Sequence, residues 1–418
     1  MKVLISAYSC EPGKGSEPGV GWNVAYEMAK HHDVWVLTRP DESGEIIDAE
    51  LVRNPIPNLK FIYFTLPIWG SGWRGGSNGV MQVHYYLWQI QAYFVARRLH
   101  QEIGFDVMHH VTFVKYSTPS FLSFLPVPFI WGPIGGGESA PKAFWKDFSW
   151  RAMAYELARD ATRWIGEHDP FVAKTARHSS TVFATTRDTV ARLHEIGVSQ
   201  VEVLPEAGLS DEEIRHLGQY KLPEGTVIRF ISMGRLLHWK GFHLSVRAFA
   251  KAGLPNAEYW VVGDGPEHAR LRRMIENLGV TDKVKLWGRL PRQKTLEKLG
   301  QSHVLVHPSL HDSGGWVCME AMAAGRPIIC LDLGGPAVQV TAETGFRVPA
   351  VHPEQAVDGI AKAIVNLAAN PELRIRMGHA GQKRMYDNFS WKIKGQYLSD
   401  LYEKLGSEPC SLPVAGVL

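Results

Sequence analysis

The stretch HVLVHPSLHDSGGWVCMEAMAAGRPIICLDLGG, residues 303–335, decides how the rest of the chain is interpreted. It opens with an apolar run typical of a buried strand, passes two glycines, and continues from Trp316 in good helix formers. A glycine-rich turn that opens a helix leaves backbone N–H groups unpaired, and such groups bind phosphate. Asp312 at the turn and Glu320 within the helix are carboxylates suited to sugar or ribose hydroxyls. The stretch therefore predicts a site for a sugar nucleotide.

Strand-like and helix-like runs alternate along most of the chain, which predicts an α/β fold with parallel sheets covered on both faces. A length of 418 residues favours two domains. A stretch rich in glycine and proline at 204–226 marks the join, so we expect doubly wound, Rossmann-like domains over 1–205 and 206–385. The predicted strands are 2–9, 33–39, 59–66, 106–112, 128–134, 181–186, 228–234, 258–265, 283–290, 303–309 and 326–333.

Composition excludes several classes of protein. The hydrophobic fraction of 45% and charged fraction of 21% are those of a globular protein, and a net charge of +3 does not argue for nucleic acid. The four cysteines are far apart and show neither zinc nor disulfide spacing, which favours a reducing, cytoplasmic location. The N-terminal run reads as a first strand rather than a signal peptide. No run of about 20 apolar residues predicts a membrane-spanning helix.

Two cations follow the predicted strand 228–234 in the sequence MGRLLHWKG. A departing nucleoside diphosphate builds up negative charge, which Arg235 can clamp with two hydrogen bonds and Lys240 can neutralise as a point charge. The alternative is a pair of solvated surface cations. Their place directly after a buried strand favours the phosphate role.

Three further glycine-containing turns follow predicted strands. Gly263, in VVGDGP, gives either a tight turn or a close approach of the backbone to a ligand. The backbone after Gly288 either meets a nucleobase or forms an ordinary strand–turn–helix. The loop around Gly15 lacks the dinucleotide spacing G-x-G-x-x-G, which disfavours a nicotinamide cofactor. That loop instead suits the transferred sugar and its leaving phosphate.

Two histidines, His109 and His110, end the predicted strand 106–112. We expect one of them to contact the substrate, and either ring could form a hydrogen bond with a sugar hydroxyl or with a main-chain carbonyl. Each is equally compatible with packing in the interior, and the sequence does not distinguish the two rings.

Acceptor selection is expected in the first domain, where aromatic and basic residues are frequent. Trp69, Trp73 and Arg74 fall in a glycine-rich loop, and further tryptophans fall in 144–171. They either stack on sugar rings, contact the inner face of a membrane as a peripheral protein does, or pack the core.

The chain resembles glycosyltransferase family 4, of the GT-B fold, in four motifs that occur in the family's order. They are MGRLLHWKG, VVGDGP, the acid-x7-acid pair of HDSGGWVCMEAMAAGRPII, and DLGG. The loop GSEPGVGW (15–22) resembles a bacterial subgroup of that family. The resemblance covers nearly the whole chain. It implies a C-terminal helix over 386–406 that crosses back to the first domain and is followed by a tail over 407–418.

The resemblance also implies an activity: retaining transfer of a sugar from a nucleoside diphosphate donor, without an essential metal or other cofactor. Uridine is the preferred base over guanosine, and the acceptor would be a glycan or a lipid-linked molecule in polysaccharide or glycoconjugate synthesis. Nothing in the sequence sets an oligomeric state. The donor-binding residues that it implies are Gly15, Arg235, Lys240, Gly263, Arg289, Leu290, Asp312, Ser313, Gly314, Gly315, Trp316 and Glu320.

The chain departs from that family at two places. The first acid is usually Glu followed by Gly-Phe-Gly, and here it is Asp312, one methylene shorter. The usual His-x-His spacing is replaced by adjacent histidines. Alternative functions on the same fold are a nucleotide-sugar epimerase, a sugar phosphorylase, or a non-catalytic nucleotide-sugar binder.

Overall fold

The computed structural model describes residues 1–66 and 78–407 and divides into two compact units. Unit 1 consists of 1–137, 160–206 and the chain from Trp391 onward, and unit 2 consists of 138–159 and 207–390. Segment 138–159, which the sequence analysis placed in the first domain, therefore packs with the second. Trp69, Trp73, Arg74 and the predicted tail from 408 lie outside the described residues.

The sheet of unit 1 has seven parallel strands in the order β3-β2-β1-β4-β5-β6-β7. Its central strands are buried along most of their length. Parallel strands buried on both faces require helices on each side of the sheet. The strands are β1 Lys2–Ala7, β2 Asp33–Thr38, β3 Leu59–Tyr63, β4 Val107–Thr112, β5 Phe129–Ile134, β6 Thr181–Ala184 and β7 Glu202–Val203.

The sheet of unit 2 has six parallel strands in the order β10-β9-β8-β11-β12-β13. Two apolar layers, one on each face, cover it. Chain order reverses between β8 and β11, and ligands of open α/β sheets bind at the carboxyl edge beside such a reversal. The strands are β8 Ile228–Met233, β9 Ala257–Val262, β10 Val284–Leu286, β11 Val304–His307, β12 Ile328–Leu331 and β13 Gly345–Val348.

Helices connect the strands in both units. The structure also has 3₁₀ turns at Phe121–Phe124, Lys142–Asp147 and His238–Lys240. The α-helices are α1 Ser16–Met28, α2 Pro40–Arg53, α3 Asn78–Ile103, α4 Trp150–Glu167, α5 Pro170–His178, α6 Arg187–Glu195, α7 Asp211–Gly218, α8 Phe242–Ala252, α9 His268–Asn277, α10 Arg292–Gly300, α11 Trp316–Ala323, α12 Gly334–Gln339, α13 Pro353–Ala369, α14 Pro371–Phe389 and α15 Trp391–Ser407.

The last helix, α15, belongs to unit 1 and packs against α1. Ser399 on α15 is hydrogen-bonded to His32 at 2.9 Å, and a Cβ at Gly395 would meet the Cβ of Glu27 at 2.7 Å. Glycine therefore permits the close approach of the two helices. The predicted C-terminal helical pattern is interrupted at Ser390, between α14 and α15.

The predicted fold class is confirmed, because both units are doubly wound parallel sheets and every predicted strand is present. Two short edge strands, β7 and β13, were not predicted. They have two and four residues and carry exposed polar side chains, so they lack an apolar run. Among the described residues, no helix combines the length and apolar composition needed to span a bilayer.

Candidate functional site

The candidate site lies at the carboxyl edge of the unit 2 sheet, around the reversal between β8 and β11. Because all strands of this sheet are parallel, the loops after β8, β9, β11 and β12 all emerge at the same edge. These loops carry most of the residues that the sequence analysis singled out. The topology thus gathers segments that are up to about a hundred residues apart in the chain.

An ion pair joins the loops after β8 and β11. Lys240 Nζ donates to Asp312 Oδ2 at 2.5 Å, with the two side chains 21% and 16% exposed. His307 Nε2 lies 3.0 Å from the same oxygen, and the Gly315 amide donates to Oδ1 at 3.3 Å. Both oxygens of Asp312 are therefore engaged.

Electrostatics keep Asp312 ionised. Burial by itself raises the pKa of this carboxyl, but the Lys240 charge and the hydrogen bond from His307 outweigh it and hold the pKa well below its usual range. For His307 the balance is the opposite, because burial lowers its pKa despite the Asp312 carboxylate. At neutral pH, the ion pair of Asp312 with Lys240 therefore lies beside the uncharged imidazole of His307.

The loop that holds Asp312 is packed against the loop after β12. The amide of Gly335 donates to Asp312 O at 2.7 Å, and Gln339 Nε2 donates to Gly314 O at 2.6 Å. A Cβ at Gly335 would lie 2.2 Å from Ser313 O, and one at Gly334 would lie 2.5 Å from Asp312 O. Only glycine fits at such distances, so the Gly-Gly of DLGG fixes the backbone of 312–315.

Arg235 follows β8 and is exposed. Within the part of the chain that the structure describes, its guanidinium has no hydrogen bond or ion pair. It is therefore free to take an anion, in contrast to Lys240, which is already paired.

Glu320 lies one helical turn into α11 and is 4% exposed. Arg292 NH1 donates to its Oε1 at 2.5 Å, and Arg292 NH2 reaches Glu213 Oε1 at 3.1 Å. Burial raises the pKa of Glu320, although Arg292 opposes the shift. Arg292 was not among the predicted site residues; the signal available was a cation at the start of α10, soon after Gly288.

Gly263 follows β9 and has a structural reason to be glycine. Its φ is +147°, and a Cβ there would lie 1.8 Å from Gly234 O. Its amide donates to Gly288 O at 2.8 Å, so the turns after β8, β9 and β10 touch one another. Arg289, beyond Gly288, is exposed, and Leu290 is half-buried against the core.

The helix start at Gly315 has a left-handed backbone with φ +54°. Ser313 and Gly314 are partly exposed beside it, and Trp316, the first residue of α11, is half-buried against the core. The predicted glycine-rich turn opening a helix is therefore present. The roles of these residues in binding stay predictions.

The histidines lie in unit 1 on β4, and each is fully buried. His109 contacts Gly132 O through Nε2 at 2.6 Å and Tyr402 on α15 through Nδ1 at 2.5 Å. His110 contacts Tyr85 on α3 through Nε2 at 3.0 Å. Neighbouring strand residues point to opposite faces of a sheet, so the two rings cannot share one role.

Burial lowers the pKa of His109 to about 4 and that of His110 to about 3, so both are neutral at pH 7. Both rings make hydrogen bonds within unit 1, and a role of either at a substrate stays a prediction. Gly15, also in unit 1, directly precedes α1 and is partly exposed. In the described residues, no cluster of His, Cys, Asp and Glu is arranged to hold a metal ion.

We expect Asp312→Asn to lower the free energy of unfolding by about 1–3 kcal/mol at pH 7, because Lys240 loses its buried charged partner. A carboxyl with a lowered folded-state pKa stabilises the protein above its unfolded pKa, so the difference from wild type should shrink below about pH 4. Urea unfolding at several pH values measures it.

The matched control is Asp358→Asn, which removes the partner of Lys251 in an exposed pair of the same 2.5 Å length. Its cost should stay below about 1 kcal/mol. Equal costs for both variants would contradict the assignment of a buried, site-forming pair.

Residues 219–384 match the family model described as glycosyl transferases group 1. A 2-deoxystreptamine N-acetyl-D-glucosaminyltransferase of Streptomyces fradiae is 33% identical over 41% of this chain and 43% of its own. A GDP-mannose-dependent alpha-(1-6)-phosphatidylinositol monomannoside mannosyltransferase of Mycolicibacterium smegmatis is 28% identical over 59% of this chain and 65% of its own. The chain thus spans less than two thirds of the length of these relatives.

The structure of Anabaena HepE in complex with UDP and glucose superposes with a TM-score of 0.60 and 18% identity, covering 97% of this chain and 100% of the other. At that identity the likeness concerns the fold. The chain has the GT-B fold, and the part of unit 2 that carries the Lys240–Asp312 pair matches the group 1 glycosyl transferases.

Proposed function

We propose that this protein is a glycosyltransferase that moves a sugar from a nucleoside diphosphate sugar to an acceptor. The observation that carries the proposal is the pairing of Lys240 with Asp312, together with an exposed Arg235 in the same loop as Lys240, at the carboxyl edge of the unit 2 sheet. Cations at the carboxyl ends of parallel strands suit a diphosphate, and an acid beside them suits the sugar. The match of 219–384 to group 1 glycosyl transferases supports the same reading.

In this proposal, Arg235 and Lys240 bind the diphosphate and stabilise the charge that develops as it leaves. Asp312 positions Lys240 before the donor binds. The lysine side chain therefore loses less conformational entropy on binding than a free lysine would. Asp312 contacts the donor sugar. The loop Ser313-Gly314-Gly315-Trp316 lines the donor at the start of α11.

The nucleoside half of the donor is assigned to the neighbouring loops. Glu320, held by Arg292, accepts hydrogen bonds from the ribose hydroxyls. The backbone at Arg289 and Leu290 borders the base, and Gly263 shapes the turn between them. Gly15 of unit 1 is assigned to the leaving phosphate, as the family resemblance implies.

The donor is proposed to be a UDP-sugar. HepE was solved with UDP and glucose, whereas the mycobacterial relative is described as GDP-mannose-dependent, so both bases belong in any test. Transfer is proposed to retain the anomeric configuration and to need no metal. Arg235 and Lys240 would supply the positive charge, and a departing phosphate oxygen would take the acceptor proton.

The acceptor is proposed to be a glycan or a lipid-linked molecule, in polysaccharide or glycoconjugate synthesis. The relatives act on a 2-deoxystreptamine compound and on a phosphatidylinositol mannoside, respectively, as their names state. A cytoplasmic protein that contacts the inner membrane face fits the second kind of acceptor. Trp150 on α4 is 69% exposed with Arg151 stacked over its ring, an arrangement suited to an anionic lipid surface.

The first experiment is a thermal-shift screen of UDP, GDP and their sugars, repeated on Lys240→Ala. We expect wild type to be stabilised by one of the diphosphates, and Lys240→Ala to lose most of this shift. Turnover with a panel of mixed acceptors should fall by about 10²-fold or more, since one charged stabiliser of the transition state is gone.

Lys251→Ala is the control, because Lys251 forms an ion pair of equal length with Asp358 at the far end of α8. It should leave binding and turnover unchanged. Unchanged turnover in Lys240→Ala would contradict the proposed role, and binding without transfer to any acceptor would favour a non-catalytic binder.

The mechanism is tested by running the reaction in excess EDTA and following the anomeric proton of the product by NMR. We expect full turnover and a product whose anomeric configuration equals that of the donor. An inverted product would refute retention, and activity restored only by added Mg²⁺ or Mn²⁺ would refute metal independence.

Membrane contact is tested by flotation with liposomes that contain anionic lipid, using zwitterionic liposomes as the control. We expect wild type to float with the anionic liposomes, and Trp150→Ala to float several-fold less because the exposed indole is removed. Absence of flotation in wild type would refute peripheral contact.

A further inference from the structure

A buried carboxylate, Glu156, lies beside the candidate site in unit 2. It belongs to the first part of α4, within the segment 138–159, and is 1% exposed. Two histidines approach its Oε1 oxygen: His238 Nε2 at 2.8 Å and His311 Nε2 at 3.3 Å. Arg159 lies one turn further along the helix, with NH1 3.6 Å from Oε2. A single carboxylate oxygen thus binds two separate loops.

These two loops are the ones that carry the Lys240–Asp312 pair. His238 precedes Lys240 by two residues in the loop after β8, and His311 directly precedes Asp312 in the loop after β11. Tyr155, the neighbour of Glu156, extends the attachment, because its ring stacks on Trp239 at 5.1 Å and Trp239 stacks on His311 at 5.1 Å. Helix α4 therefore contacts both loops through hydrogen bonds and through a three-ring stack.

The backbones of the two loops also meet directly. The Leu310 amide donates to Trp239 O at 2.7 Å. A Cβ at Gly241 would lie 2.0 Å from Pro308 O, so the approach needs glycine. Glu156 adds a side-chain clamp to this backbone contact.

The charges are consistent with a clamp in which Glu156 accepts from both rings. Burial raises the pKa of Glu156, but the hydrogen bonds from His238 and His311 outweigh it and the net pKa lies well below its usual range. Burial lowers the pKa of His311 to about 4. At neutral pH, an ionised Glu156 thus accepts from the Nε2–H of an uncharged His311.

We propose that Glu156 is a positioning residue, which holds the loops of His238 and His311 together so that Lys240 and Asp312 are set for a nucleoside diphosphate. The inference rests on the proposed function for its ligand. The attachment of the two loops to α4 can be tested without any ligand.

The decisive variant is Glu156→Met, which keeps the length and approximate volume of the side chain but removes the accepting oxygen. Hydrogen exchange of peptides covering 236–241 and 308–312, measured without nucleotide, should be about tenfold faster than in wild type. UDP or GDP, whichever wild type binds, should bind about tenfold more weakly.

Glu156→Gln should restore both measurements to within about threefold of wild type, because both histidines donate to one oxygen that the amide still provides. Glu276→Met, at an exposed position on α9, is the control and should change neither. If Glu156→Met does not fold, Glu156→Asp replaces it. Faster exchange in the two loops and weaker nucleotide binding are again expected, because the Asp side chain is one methylene shorter and its oxygen lies further from the histidines.

A double-mutant cycle separates positioning from general stability. In a Lys240→Ala background, Glu156→Met should weaken nucleotide binding by less than about twofold, because the residue acts through the pair that is already broken. An equal weakening in both backgrounds would overturn the proposal, as would unchanged exchange in the two loops. If wild type binds neither nucleotide, the proposed function fails, while the exchange result still decides whether Glu156 holds the loops.

Discussion

The ion pair between Lys240 and Asp312 is the contact on which the candidate site depends. It joins the loops after β8 and β11, the neighbouring strands between which the chain order of the unit 2 sheet reverses. Ligands of open α/β sheets bind at the carboxyl edge beside such a reversal. The pair adds a side-chain contact to the direct backbone contact between these loops and leaves a partly exposed cation at the carboxyl edge. Loss of the pair would leave a charge with too little solvent to stabilise it.

Much of this arrangement could be predicted from the sequence, because it follows from local patterns. Continuous apolar runs such as VLVH and IICL predict strands that are buried on both faces, and the alternation with helices predicts parallel order. Parallel order then brings Arg235 and Asp312 to one edge. The close approach of Gly335 to Ser313, seen only in the structure, explains why the DLGG turn needs glycine.

Contacts between distant side chains could not be predicted, because no local pattern encodes them. Lys240 and Asp312 are 72 residues apart, and Arg292 resembles any other surface cation until Glu320 is placed beside it. The two histidines show a related difficulty. A strand that ends in His109 and His110 has the same sequence whether the rings face a ligand or bond to Tyr402 and Tyr85 inside the unit.

Asp312 stands where the glycosyltransferase family that the sequence resembles usually has Glu, and these contacts give a consistent physical account of the shorter acid. Oδ1 accepts a hydrogen bond from the amide of Gly315, three residues further along the chain. The short side chains of Asp and Asn form such local bonds readily. Oδ2 accepts hydrogen bonds from Lys240 and His307. Glu, with one more methylene, forms this local hydrogen bond to the backbone less readily than Asp does. The shorter acid therefore fixes both its own loop and Lys240 before a donor binds. The DLGG glycines and Glu156 hold the backbone around the pair. A site arranged in this way loses little conformational freedom on binding, so more of the interaction energy remains for the diphosphate.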